Sequence, residues 1–598
     1  MPEARCIPRE GSVRERNPFP VFPGEPKIQG PIRRSPMGRR RALVLGAVHV
    51  AVLLHVLHWK LTGSTLSPVE PSESMRTLEL GQINAGALFF ALAILSTALF
   101  GRFFCGWGCH VVALQDLCAW IMRRLGVRPR PFRARLLVWA PLGLAVYMFA
   151  WPTLKRALVP LVRGAFPAVA AALGPPPPFP GFSNHLVTAS FWATFPGVAI
   201  AVPFLLVCGF AVVYLLGAKG FCTYGCPYGA VFGAADGVAP GRIRVTDACD
   251  QCGHCTATCT SNVRVHEEVR EFGMVVSPGC MKCLDCVSVC PKDALYWGFG
   301  KPATSRGAPK TGRLLRRFDL PLRGEIALAA TFLLALLAWR GAYGSVPLLM
   351  GVGVALCVSF LLATLVRLLR DEDVALQNLT LSTGGRIRGA GFAVIALAVV
   401  AAALTLQSGA VRVARAAADR LDAEVVVSRE EVLRGGPLTL SDATRSVAMR
   451  AARLDRLADG WTAGGLGLVS TPEVALRRAW FALVLGKPSE ALGHLERAMG
   501  EAPASREARL DLARVRALAG PRDEAIRDLR RLVAEDPVDV DVHRALAATL
   551  EAAGDAPASV AELIVVVSLD PQDTAARAHL VALLERLGRT QDANRYRR

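Results

Sequence analysis

The chain has 598 residues, of which 52% are hydrophobic and only 20% charged, with a mean hydropathy of +0.35. A chain this apolar is not disordered, and its composition argues against an ordinary water-soluble enzyme. The net charge of +20 suits either nucleic acid or the cytoplasmic loops of a membrane protein, and the placement of the basic residues decides between them.

Taken in chain order, residues 1–41 are polar and basic and end in Arg39, Arg40 and Arg41. Apolar runs long enough to cross a bilayer, which takes about 20 residues, follow at 42–59, 82–100, 136–151, 191–216, 324–340, 346–366 and 389–407. The loop after the second run carries Arg123, Arg124, Arg128, Arg130, Arg133 and Arg135. The loop before the fifth carries Lys301, Arg306, Lys310, Arg313, Arg316, Arg317 and Arg323, while residues 60–81 hold only Lys60 and Arg76 against three glutamates. The positive-inside rule then places the N-terminus in the cytoplasm and, after seven crossings, the C-terminus outside. The first helix reads as a signal anchor, because no small-residue cleavage site follows it. Topology accounts for the charge, so no nucleic-acid partner is expected.

Between the fourth and fifth runs, Cys249, Cys252, Cys255 and Cys259 are followed by Cys280, Cys283, Cys286, Cys290 and Pro291. Each half spaces its cysteines C-x-x-C-x-x-C-x-x-x-C, the run of bacterial two-cluster ferredoxins, in which the fourth cysteine ligates the other cluster. One 4Fe-4S cluster is therefore expected on Cys249, Cys252, Cys255 and Cys290, and a second on Cys280, Cys283, Cys286 and Cys259. Thr260 stands where the ferredoxin run has proline, and twenty residues separate the halves. Zinc sites use a different paired spacing, and disulfides are disfavoured in a reducing cytosol.

Two further pairs, Cys105 with Cys109 and Cys222 with Cys226, follow the second and fourth apolar runs. If helical, their i, i+4 spacing places each pair on one face. The two pairs would then converge into a third site, for an iron–sulfur cluster, zinc or Cu(I), or form a redox-active dithiol. Glycine and cysteine packing helix ends is the plain structural alternative. His49, His55 and His58 lie in or near the first run and read as packed or interfacial rather than as haem ligands. His58 and His185 are the outer-side histidines for a quinone contact. Cys118, Cys208 and Cys357 read as small apolar residues, and Cys6 as an unpaired thiol.

Two C-x-x-x-C pairs at helix ends plus a two-cluster insert resemble the polyferredoxin-like membrane protein family over about residues 40–300. That family includes the quinol dehydrogenase component of periplasmic nitrate reductase and a cupric reductase accessory to cytochrome oxidase. The resemblance implies electron transfer at a bacterial inner membrane, with clusters on the cytoplasmic side and quinol as a natural partner. Its C-x-x-x-C-P is kept at Cys226-Pro227, whereas His110 follows Cys109.

Beyond the seventh run, Gly486, Gly520, Gly554 and Gly588 recur with a period of 34, as do Pro503, Pro537 and Pro571. Ala491, Ala525, Ser559 and Ala593 occupy matching small-residue positions. This is the signature of tetratricopeptide repeats, whose stacked helix pairs bury a continuous core and offer a concave face to a protein partner.

The fold expected is mainly α: a polytopic helical membrane protein of about seven spans, an inserted two-cluster α+β ferredoxin domain and a C-terminal α-solenoid. The expected divisions are a basic segment (1–41), a four-helix membrane region with the first pair (42–219), the second pair and ferredoxin domain (220–300), a basic loop with three spans (301–407), a helical connector (408–469) and periplasmic repeats (470–598). The expected function is iron–sulfur electron transfer between quinol or a cytoplasmic donor and a partner enzyme, as a quinol-linked oxidoreductase component. The alternative is a copper reductase or assembly factor. No strand–helix dinucleotide fingerprint is present, so NADH is not the expected donor.

Overall fold

The computed structural model describes residues 31–127, 129–176, 178–194, 197–310, 318–433, 440–500 and 505–597. Cys6, Arg128, Arg313, Arg316, Arg317 and Pro503 lie outside the described residues. The chain divides into two compact units, Met1–Gly341 with Val346–Ala403, and Ala342–Ser345 with Leu404–Arg598.

The first unit is built on long apolar helices. Met37–Thr62, Leu137–Ala165, Val198–Leu216, Leu322–Trp339, Leu348–Arg370 and the start of Gly389–Asp422 are long and apolar enough to cross a membrane. The run expected at 82–100 forms a shorter helix, Ala85–Phe100, of 16 residues, or about 24 Å at 1.5 Å per residue. It starts late because Asn84 caps it, accepting the Ala87 amide at 2.8 Å. The third helix runs on to Ala165, well past the expected end at 151, through a π-turn at Val146–Ala150. Opposite ends of the helices carry different structure. At one end Thr65–Leu66 pairs antiparallel with Val187–Thr188, and Gln82–Ile83 pairs parallel with Ser183–Asn184. At the other end the cysteine motifs begin.

The cysteine-rich insert closes on itself through an antiparallel pair, Arg242–Val245 with Leu295–Gly298. Its core is Ile243, Val263, Val265, Val269, Val275, Ala294 and Leu295, packed around cysteines. The extra residues between its halves form the helix Val265–Phe272. The insert is held to the helical body by Asn262, which donates to the Phe132 carbonyl at 2.9 Å and accepts from Arg133 Nε at 2.9 Å. Glu325, buried at the start of Leu322–Trp339, accepts the Arg135 and Leu136 amides and pairs with the Arg135 guanidinium at 3.1 Å. A carboxylate inside an apolar helix end is thereby satisfied.

The second unit is a stack of helix pairs. The repeats run through Pro472–Val484, Pro488–Gly500, Arg506–Ala519, Arg522–Glu535, Val540–Ala552, Ala556–Leu569, Thr574–Arg586 and Thr590–Tyr596. Gly486, Gly520, Gly554 and Gly588 all have positive φ at the turn inside each pair, which explains the glycine period. Ala491, Ala525, Ser559 and Ala593 are fully buried where paired helices touch, and Ser559 satisfies its hydroxyl on the Ala547 carbonyl at 2.8 Å. The stretch after the last span is part of this unit. Asp442–Ala458 packs on Pro472–Val484, with Ala448 and Ala451 buried against Phe481 and Val484.

Candidate metal centres

The two halves of the insert fold alike. Residues with left-handed backbone occur at Gln251, Gly253 and Asn262 in the first half and at Lys282, Leu284 and Asp293 in the second. Measured from Cys249 and Cys280, these are the same three offsets. Five of the six are not glycine, so each tolerates an uncommon conformation to wrap its loop around the cysteines.

Cys249, Cys252, Cys255 and Cys290 line one small cavity with His254, His266 and Pro291. The Cys249 sulfur accepts from Gln251 Nε2 at 3.3 Å and the Cys290 sulfur from the Ala294 amide at 3.3 Å. Burial, with Cys252 and Cys249 adding to it, pushes the Cys255 thiol up to about 12. In the other set, burial and then Cys280 push Cys259 up to about 12. Burial also raises Cys286, reinforced by Cys283, Cys280 and Cys259, with Cys255 of the first set next. Each set therefore gathers four thiols, and the two sets adjoin.

The membrane-face pairs also come together. Cys105, Cys109, Cys222 and Cys226 line a single cavity, closed by Phe104, Phe232, Tyr228 and Met281. The route differs from the single helical face expected. Cys105 and Cys222 sit in short helices, Phe103–Trp107 and Gly220–Tyr224. The chain breaks at Gly108 and Gly225, and Cys109 and Cys226 are extended residues capping the next helices, His110–Arg124 and Pro227–Val238. The second thiol of each pair thus faces a helix N-terminus, where free amides favour thiolate. For Cys109, burial still dominates and raises the thiol to about 11, while the Val112 and Val111 amides pull it down.

The surroundings of this cavity carry charge that sequence reasoning missed. Arg102 and Lys219 each lie three residues before the first cysteine of a pair, and both are buried. Arg102 points Nη2 at the Cys105 sulfur, 3.7 Å away, and donates Nη1 to the Pro278 carbonyl. Lys219 pairs with Asp116 at 2.5 Å and acts electrostatically on Cys109 and Cys222. Gln115, fully buried, donates Nε2 to the Cys222 sulfur at 3.0 Å, and its Oε1 has no partner among the described residues. A matched cation ahead of each pair was the signal available in the sequence.

The membrane-face motif rests directly on the second ferredoxin loop. Trp107 Nε1 donates to the Lys282 carbonyl at 3.0 Å. A Cβ on Gly106 would lie 2.2 Å from the Met281 carbonyl oxygen, so only glycine permits this approach. Below the contact, fully buried Asp236 accepts from Lys282 Nζ at 2.7 Å, Arg242 Nη2 at 3.1 Å and the Arg102 amide at 3.2 Å. Arg41, expected as one of the topogenic charges, is buried, bonded to Asp285 at 2.7 Å and the Cys283 carbonyl at 3.0 Å.

Zinc would need four ligands at roughly 2.0–2.3 Å from one point. Among the described residues no three Cys, His, Asp or Glu side chains converge that tightly. The donor set, all sulfur with N–H groups directed at it, fits iron–sulfur clusters, whose thiolates surround a larger body. His49, His55 and His58 make local bonds, to the Leu45 carbonyl, the Leu66 carbonyl and Thr65 Oγ1.

Comparison with known proteins agrees with this chemistry. A 4Fe-4S binding domain model matches residues 85–128 and 198–245, and a 4Fe-4S dicluster domain model matches 241–291. Tetratricopeptide repeat models match 482–549 and 522–598. The chain is similar to the ferredoxin-type protein NapH of Haemophilus influenzae, 29% identical over 213 residues. The match covers 33% of this chain and 63% of that relative. Among solved structures, MamA MSR-1 is 18% identical with a TM-score of 0.22, covering 28% of this chain and 89% of that one. A second MamA structure is 16% identical with a TM-score of 0.23, covering 31% and 87%. The chain thus carries 4Fe-4S binding domains like those of the polyferredoxin-like membrane proteins it resembles, helices long and apolar enough to cross a membrane, and tetratricopeptide repeats at its C-terminal end.

Proposed function

We propose that this protein takes electrons from a membrane quinol through a four-sulfur centre on Cys105, Cys109, Cys222 and Cys226. Two 4Fe-4S clusters on the ferredoxin cysteines then relay them, with Cys249, Cys252, Cys255 and Cys290 holding one and Cys259, Cys280, Cys283 and Cys286 the other. When bound, such clusters accept and release one electron at a time. The observation that carries this reading is the backbone contact of Gly106 and Trp107 with Met281 and Lys282, which brings the membrane-face site and the ferredoxin loops within van der Waals range.

Charge supports the same assignment. Four thiolates around a metal–sulfur core make a strongly anionic group, and burying an anion requires cations beside it. Arg102 and Lys219 supply them.

A second cavity, of about 1130 Å³, is lined by apolar residues, among them Leu45, Leu114, Trp120 and Phe204, and by Arg41, His110, Asp116 and Cys259. It has an apolar body and a polar end, as an amphiphilic hydroquinone requires. A hydroquinone oxidised there loses two electrons and two protons. His110 lines both this cavity and the four-cysteine one, and with Asp116 it is placed to take the protons. On this reading the quinone-side histidine is His110, where the sequence alone suggests His58 or His185. The clusters are then cytoplasmic, and the repeats, from about residue 470, meet a periplasmic protein partner.

The test is anaerobic addition of reduced quinol to the purified holoprotein, with cluster reduction followed by EPR and visible absorbance. Rapid reduction is expected. Reduction only by a low-potential donor would overturn the quinol assignment.

A further inference from the structure

The second unit carries a tight loop, residues 459–470, whose backbone is folded by its own hydrogen bonds. The Trp461 amide donates to the Gly467 carbonyl at 2.7 Å, the Gly467 amide to the Asp459 carbonyl at 2.8 Å and the Leu466 amide to the Leu457 carbonyl at 2.9 Å. A side chain on Gly465 would meet the Asp459 carbonyl at 2.1 Å. Asp459 itself is fully buried and fixed by Arg478 at 2.5 Å. The loop is therefore preformed. Yet its apolar side chains point outward: Trp461 is 71% exposed, Val469 60%, Leu466 47% and Leu468 37%. So much exposed apolar surface on a rigid loop marks a contact surface.

Two independent contacts within this unit fix the level of that loop relative to a bilayer. The helix Gly389–Asp422 is free of charged residues from Gly389 to Val411, and its first cation is Arg412. Its 34 residues make about 51 Å at 1.5 Å per residue, against a hydrocarbon core of about 30 Å. The apolar stretch accordingly ends near Gln407, and Gln407 Nε2 donates to the Leu466 carbonyl at 2.5 Å. Next to it, Ser408 Oγ lies 3.4 Å from Tyr343 Oη. Tyr343 belongs to the short turn joining the spanning helices Leu322–Trp339 and Leu348–Arg370, so it marks where those helices leave the membrane. Two separate segments of chain thus place the Gln407–Leu466 contact at a membrane face. Leu406, 75% exposed, continues the same apolar surface toward the lipid.

We infer that the Trp461–Val469 loop is a membrane-interface anchor, whose tryptophan and leucine side chains insert at the headgroup–acyl boundary and seat the repeat array on the bilayer. Tryptophan favours this depth because its ring is apolar while its N–H remains hydrated. The occupant proposed is lipid, and the helix that carries the loop to the bilayer is the reason. The inference needs the spanning helices but not the quinol assignment, and it survives if the protein draws electrons from another donor.

The experiment uses the full-length holoprotein in phosphatidylcholine–phosphatidylglycerol vesicles, with a matched set whose acyl chains are brominated near the headgroup. The emission difference between wild type and Trp461→Phe isolates the Trp461 signal. It is expected to be blue-shifted and quenched by more than half in the brominated bilayer. Quenching by aqueous acrylamide but not by bromolipid would place the loop in water and overturn the proposal. Quenching by neither would mean a protein surface covers it, and would overturn it equally. Leu466→Asp with Val469→Asp, keeping Trp461, is expected to shift the emission to the red in the same vesicles, and no shift would count against insertion.

Discussion

Trp107 donates its indole N–H to the backbone carbonyl of Lys282 at 3.0 Å, laying the turn between Cys105 and Cys109 on the turn between Cys280 and Cys283. Neither motif places the other there by spacing alone, and on the proposed reading their contact makes one continuous route of two cysteine groups. The route depends on close backbone approach, on buried charge and on helix N-termini, and each has a measurable consequence.

Gly106→Ala should force the two loops apart, because its Cβ would collide with the Met281 carbonyl rather than with a yielding side chain. The expected cost is about 1–3 kcal/mol of stability, as for other overpacked sites. Denaturant titration followed by cluster absorbance measures it, and an unchanged midpoint would show that the loops are not in contact.

Arg102→Gln removes a buried positive charge 3.7 Å from the Cys105 sulfur. Reduction adds negative charge, so losing the cation should make the midpoint potential of the membrane-face centre more negative. A tenfold effect on the reduction equilibrium corresponds to about 60 mV for one electron. Arg102→Lys, which keeps the charge, should shift it less. An EPR-monitored redox titration checks both variants.

Asp236→Asn leaves Lys282 and Arg242 buried without their counter-charge. Breaking a buried ion pair from one side costs about 3–5 kcal/mol. Loss of 4Fe-4S content on purification, or a markedly lower melting point, is the expected outcome; wild-type content and stability would show that the cations find other partners.

His494, in the repeat unit, is buried, and burial followed by Arg478 and Arg497 lowers it to about 4. The unfolded chain binds this proton near pH 6.5 and the folded chain only near pH 4, so between these values the unfolded state holds more protons. Stability of the repeats should therefore fall as pH drops from about 6.5 toward 4. His494→Phe should flatten that slope, as read by thermal melting of the helical signal across the window.

How much of this was legible in the sequence follows from which interactions are local. The ferredoxin cysteines announce themselves because three thiols of each set come from one loop, and the repeat glycines because each turn poses the same demand for positive φ. The helix ends were blurred, since apolarity marks lipid contact and does not mark where hydrogen bonding stops: Leu137–Ala165 continues through Lys155 and Arg156. Arg41 read as a topogenic charge because nothing nearby in sequence announces Asp285, 244 residues away. Lining one cavity with Cys105, Cys109, Cys222 and Cys226 is one of the arrangements the paired spacing allows, but not by a shared helical face, because Gly108 and Gly225 break the helix between the thiols.

The central claim is that the four membrane-face cysteines feed the ferredoxin pair. Its most direct test compares wild type with the Cys105→Ser, Cys222→Ser variant in lipid nanodiscs, by rapid-freeze EPR after mixing with reduced quinol. Dithionite-reduced samples of the variant first establish that its ferredoxin clusters are intact. The account predicts that they are, that one cluster's worth of iron and sulfide is missing, and that quinol no longer reduces the remainder. Full iron content with undiminished quinol reduction in the variant would contradict it.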